Sequence, residues 1–119
     1  SSYTDLATLG PIANVVVGPS GRLMVQVGTA LAISGNNTTM GALMSFTLPG
    51  ANTMAASDSQ ALQVNMSATV AWTAAVTLGS PLITLSNLTP GATVVTAKYR
   101  ANSTGPAAFA ARYVTVLPL

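Results

Sequence analysis

The side chains able to do acid–base, nucleophilic or ligand chemistry are few. They are Asp5, Asp58, Arg22, Lys98, Arg100, Arg112 and the tyrosines Tyr3, Tyr99 and Tyr113. Histidine, cysteine and glutamate are absent from the 119 residues. General acid–base work near neutral pH uses histidine or a carboxylate pair whose pKa values are driven apart. Asp5 and Asp58 share no local motif that would pair them. A serine nucleophile needs a base, and Lys98, the single lysine, has no Ser-x-x-Lys arrangement around it. Metal sites draw on clusters of His, Cys, Asp or Glu, which this inventory does not supply. No glycine-rich phosphate loop precedes a helical segment. The sequence therefore predicts no enzymatic role, no catalytic residue, no cofactor and no metal.

Charged residues make up 5% of the chain, against roughly 25% in an ordinary soluble domain. Ser, Thr, Asn, Gln and Gly take their place. A free surface so poor in charge resists self-association badly, so much of it is expected to be covered by other subunits. The net charge of +2 rests on four scattered cations, too few to neutralise a row of phosphates. A nucleic-acid partner is not expected. No basic start followed by an apolar block marks a secretion signal. Five Asn-x-Ser/Thr triplets, at Asn36, Asn37, Asn65, Asn87 and Asn102, are then chance products of composition. The most apolar window, residues 68–85, holds four threonines and a Gly79-Ser80-Pro81 break. It reads as two strands and a turn, not as a membrane span.

The elements that must position these residues are β-strands. Across residues 22–33, Leu23, Val25, Val27, Leu31 and Ile33 share one face, with Thr29 interrupting. Period-two alternation of this kind predicts a half-buried strand. Residues 34–38 read as a loop, and residues 41–48 alternate again with Ala42, Met44, Phe46 and Leu48 on one side. Shorter strands are expected at 14–17, 59–65, 68–76 and 82–88. Between them stand turn signals such as Gly18-Pro19-Ser20-Gly21, Pro49-Gly50 and Thr89-Pro90-Gly91. Residues 92–101 and 107–117 read as a final β-hairpin joined by a Gly-Pro connection. Trp72 is expected in the core. Strands this short with turns this frequent predict an all-β antiparallel sandwich over residues 15–119.

Two features point to contacts between subunits. Residues 1–14 lack sustained periodicity and read as an extended N-terminal arm, with Tyr3, Leu6, Leu9 and Ile12 as anchors. The last strand is apolar on both faces: Phe109, Ala111, Tyr113 and Leu117 against Ala108, Ala110, Val114 and Val116, with Arg112 interrupting. A strand apolar on both faces usually has both covered. Arg112, Val114 and Val116 are therefore expected at an interface.

The Leu88-Thr89-Pro90-Gly91 corner resembles that of fibronectin type III domains, but Trp72 stands too close to it for that family's spacing. A broader set of motifs runs in order along the chain. It comprises Gly18-Pro19-Ser20-Gly21-Arg22-Leu23-Met24-Val25, Met44 to Thr53, Ala55 to Leu62, Leu88 to Gly91, Ala97 to Arg100 and Val114 to Leu119. This set resembles the small β-sandwich modules of tailed-bacteriophage virions, especially those of actinobacteriophages. The resemblance implies a jelly-roll-like, non-enzymatic virion protein, commonly a homotrimer. It further implies a capsid decoration (cement) protein on the outer surface of the phage head, with the major capsid protein as partner and no membrane. The alternative it leaves is a tail-tip or fibre module binding host-surface glycan, for which the candidates are Tyr3, Trp72, Tyr99, Tyr113 and the Asn-rich loops at Asn36-Asn37 and Asn102.

Overall fold

A computed structural model describes residues 2–101 and 107–119. Its strands are β1 (Ile12–Val17), β2 (Leu23–Thr47), β3 (Leu62–Gly79), β4 (Ile83–Leu85), β5 (Gly91–Ala101) and β6 (Ala107–Pro118). Two short 3-10 turns, Gly50–Asn52 and Asp58–Gln60, lie in the β2–β3 connection. Every strand pairing is antiparallel. The fold is the all-β sandwich expected from the turn spacing.

The organiser is β2. β3 and then β4 line one of its edges, while β5 and β6 line the other end to end. At about 3.3 Å per residue, 25 residues would span roughly 80 Å if straight, whereas the whole molecule is 53 Å long. The strand therefore doubles over. Leu23, Val25 and Val27 from its first half meet Met44, Phe46 and Leu48 from its second in one core, with Val17, Leu62, Leu85, Val95, Ala97 and Tyr99. A smaller cluster of Leu31, Ile33, Met40 and Ala42 lies further along, packed by Val64, Trp72 and Phe109. Two layers result. Layer A holds the first half of β2 with β6, β4 and the end of β3; layer B holds the second half with the start of β3, β5 and β1. β1 also lies beside β6, so the sandwich is nearly closed into a barrel.

Residues 34–38 are strand rather than loop. The alternation before them sends odd positions into the core clusters and that after them even ones, although Leu43 and Ser45 on the other side are buried as well. This phase change looks like an interruption in the sequence. The fold absorbs it by a one-residue slip of the β2–β3 pairing between Asn36 and Thr38, because a slip of one residue exchanges the faces. Segments 59–65 and 68–76 likewise join into one β3. Among the described residues the final two strands do not pair as a hairpin: β5 pairs with β1 and β2, and β6 with β2. The Gly-Pro connection expected between them falls outside the described residues. The described strands, with β2 and β3 each shared between the two layers, form an antiparallel sandwich, and their pairing does not by itself establish the jelly-roll form.

One expected turn anchors two loops. Gly21 N–H donates to the Gly18 carbonyl at 3.0 Å, and Leu88 N–H to the Gly21 carbonyl at 2.9 Å. Gly21 has φ +66°, and a Cβ there would stand 2.7 Å from the Leu88 carbonyl oxygen, so only glycine fits without displacing backbone.

Candidate functional site

Most charged side chains gather on the outer side of layer B. Lys98 and Arg100 project from one face of β5, as their alternation predicts. Asp5 comes to them from the N-terminal segment and Asp58 from the second 3-10 turn. Lys98 Nζ lies 2.6 Å from Asp5 Oδ1, and Arg100 Nη2 lies 2.6 Å from Asp58 Oδ2. Tyr3 Oη donates to Asp58 Oδ1 at 2.8 Å, and the Arg100 guanidinium carbon stands 5.6 Å from the Tyr3 ring centroid. The groove between these groups, about 510 Å3, is also lined by Ser2, Thr47 and Ser57. Each carboxylate faces its own cation, so neither is placed as a free base. Partly exposed pairs of this kind contribute about 1 kcal/mol at most. Their effect is to pin the N-terminal segment and the β2–β3 connection to β5. Ser45 reinforces the latter from within: its hydroxyl donates to the Gln60 carbonyl at 2.7 Å and accepts the Ser57 N–H at 3.3 Å.

Burial, then the neighbouring Asp58 carboxylate, pushes the Tyr3 phenol up to about 12 from its ordinary 10.0. The folded protein therefore holds this proton where the unfolded chain releases it, and stability falls wherever the native state binds more protons. The contribution is intact below pH 10 and is lost as pH rises toward 12. Tyr99 is shifted upward too, mainly by burial, and acts with the same sign. Unfolding midpoints measured across this range are expected to drop, and Tyr3→Phe to reduce the drop without removing it. An equal drop in the variant rules Tyr3 out as a source.

A second polar group ties the same segment down from inside. Tyr99 Oη donates to the Gly10 carbonyl at 2.7 Å. Arg112 Nη1 lies 2.9 Å from that carbonyl, 3.1 Å from the Thr8 carbonyl and 3.2 Å from Tyr99 Oη. Thr4 and Tyr99 exchange backbone hydrogen bonds, each 2.9 Å. Residues 2–11 thus fold onto their own domain. Of the four anchors, Leu6 packs against the chain's own core and Tyr3 is half-buried, while Leu9 and Ile12 remain exposed at 64% and 52%.

β6 requires a correction to the facing of its side chains. Two of its residues, Ala111 and Arg112, stand opposite Thr29 of β2, and Ala111 has φ +47°. This β-bulge shifts the alternation by one. Val114 and Val116 consequently pack on the main core, and Arg112 turns inward to its three oxygens. None of the three lies on the outer face expected from strict alternation. Thr29, the odd residue of its apolar face, sits at the bulge and donates to the Ala110 carbonyl at 2.8 Å.

The outward side of layer A is where the structure goes beyond the residue pattern. Its rows run across three strands: Thr77, Ala30 and Ala110; then Ala75, Ala32 and Ala108. Beside them Tyr113 lies on Gly28, where a Cβ would stand 2.1 Å from the ring, and reaches Gly79. The face ends in Met24 and Leu117, the latter 53% exposed. No charged side chain stands in any of these rows. The alternation of β2 already put Gly28, Ala30 and Ala32 together, but only the pairing register aligns them with alanines from β3 and β6. Among the described residues, no three His, Cys, Asp or Glu side chains converge, and no helix is long and apolar enough to cross a membrane. No family model, curated protein or solved structure matches the chain.

Proposed function

We propose that the chain is a non-enzymatic structural subunit of a bacteriophage virion, a decoration protein bound as a homo-oligomer to the outer surface of the head. The observation that carries this reading is the uncharged outward side of layer A. It is a wide sheet face of Ala, Thr, Met and Leu with one flat tyrosine, while the ion pairs occupy the opposite layer. A contiguous uncharged face of small and apolar side chains suits contact with another protein surface. The exposed Leu9, Ile12 and Val16 add apolar area away from it. Several modest contacts made at once on a repeating lattice combine into a durable attachment, and the resemblance of the motif order to phage sandwich modules supplies the lattice. The tail-tip or glycan reading receives less support: Tyr99 is buried, Trp72 half-buried, Tyr3 stacked with Arg100 and Tyr113 laid on Gly28. These rings sit on different faces and form no platform.

The test is reconstitution. Heads assembled from the phage's major capsid protein without this chain are titrated with it, then heated while DNA release is followed. Saturable binding and a higher release temperature are expected. Absence of binding, or binding with no gain in heat resistance, overturns the cementing role.

A further inference from the structure

We propose that residues 71–79 of β3 form a dimer interface, pairing antiparallel with the same residues of a second copy across a two-fold axis at Ala75. β2 is the only strand beside β3 among the described residues, and the other edge of β3 faces outward. Edge strands are normally protected by charge, proline or shortness, because their free backbone groups recruit another strand. β3 has none of these defences. It runs for 18 residues without a charge or a proline, and three of its large apolar side chains, Met66, Val70 and Val76, are exposed at 39%, 64% and 37%.

The regular part of this edge is the second half. Thr69 and Val70 together oppose Asn37 where the β2–β3 pairing slips, and from Ala71 to Gly79 the register with β2 is unbroken. Side chains directly opposite in an antiparallel pair lie on one face. A perpendicular two-fold axis keeps the outward face outward in both copies, so odd positions must meet odd ones. Centring on Ala75 uses all nine regular residues, whereas any other register of that parity leaves ends unpaired. Ala75 then meets Ala75, Thr73 meets Thr77, Trp72 meets Leu78 and Ala74 meets Val76. The first two contacts continue the neutral outward face of layer A. The last two extend its inner face, where Trp72 and Leu78 already pack on the cores, and cover Val76. A sheet β6-β2-β3 in each copy becomes one six-stranded sheet.

A second copy is the occupant that this chemistry selects. Two-fold symmetry sets the residue on the axis against its own equivalent and makes every other pairing reciprocal, so a charge on the axis would face itself. This edge has no charge, its residues are small at the axis, and its apolar members find apolar partners in register. The proposal does not depend on what the assembly decorates.

The purified chain is weighed in solution by light scattering over a micromolar concentration series, beside Ala75→Lys. A wild-type dimer is expected, with association at least tenfold weaker in the variant and circular dichroism unchanged. Because the chain has no cysteine, Ala75→Cys provides a second readout that does not depend on how the lysine variant folds. It is expected to form a disulfide-linked dimer much faster than Thr115→Cys, an exposed position on β6. A monomer throughout, an oligomer indifferent to Ala75→Lys, or cross-linking no faster at Ala75 than at Thr115 overturns the proposal.

Discussion

Replacing Tyr99 with alanine is expected to lower the unfolding free energy by about 3–5 kcal/mol. Tyr99 is the largest fully buried side chain, 2% exposed. Its ring packs 4.8 Å from that of Phe109, and its hydroxyl is the main-chain anchor for Gly10. Alanine removes the ring and leaves a void. It also strips a partner from both Arg112 and the Gly10 carbonyl, inside a site that water cannot easily reach. Domains of this size are stable by about 5–15 kcal/mol in total, so the variant should be barely folded at 37 °C. Tyr99→Phe separates the contributions, because it keeps the ring and loses only the hydrogen bond. About 1 kcal/mol is expected there. Urea unfolding of the three proteins checks both values, and near-equal losses in the two variants would show that the hydroxyl, not the packing, is what matters.

The second large effect is expected at Arg112. Methionine preserves most of the apolar stem but removes the guanidinium that reaches Thr8, Gly10 and Tyr99. Hydrogen bonds from a charged donor are worth more than neutral ones, and a loss of about 2 kcal/mol is expected. The loss has a local signature. With its clamp gone, the segment before β1 should open ahead of the rest of the domain, and a protease that cuts after leucine should cleave at Leu6 and Leu9 well before other sites. Arg112 and Tyr99 share the Gly10 carbonyl, so Arg112→Met and Tyr99→Phe should not add: a coupling of about 1 kcal/mol is expected in the double-variant cycle. Additive losses with no early cleavage would mean that Arg112 only fills space.

The class of the fold was legible in local pattern alone. Leu23, Val25, Val27, Leu31 and Ile33 on one parity, and Ala42, Met44, Phe46 and Leu48 on another, can bury a common face only as strands, and all of them are core. Turn chemistry at Gly18 to Gly21 was legible locally too, in the Gly-Pro-Ser-Gly run itself, whereas the Leu88 carbonyl oxygen that stands 2.7 Å from a Cβ at Gly21 comes from a distant segment. Charge was legible as a scarcity, though not as a layout.

Register and breaks in alternation were settled only in the assembled sheet. Two parities separated by Ser34 to Thr38 look like two strands and a loop, yet a one-residue pairing slip lets a single β2 carry both. The bulge at Ala111 and Arg112 is invisible to a period-two reading, because an extra residue reverses faces without changing composition. It sent Val114 and Val116 into the core and brought Arg112 to the backbone of residues 8–10. Strand partnership is likewise non-local: β5 and β6 are neighbours in sequence but bond to opposite halves of β2. The neutral face of layer A exists only because that register sets Ala75, Ala32 and Ala108 side by side. A sequence states which side chains alternate; which alanines become neighbours across strands is settled by hydrogen bonds between segments that are distant in the chain.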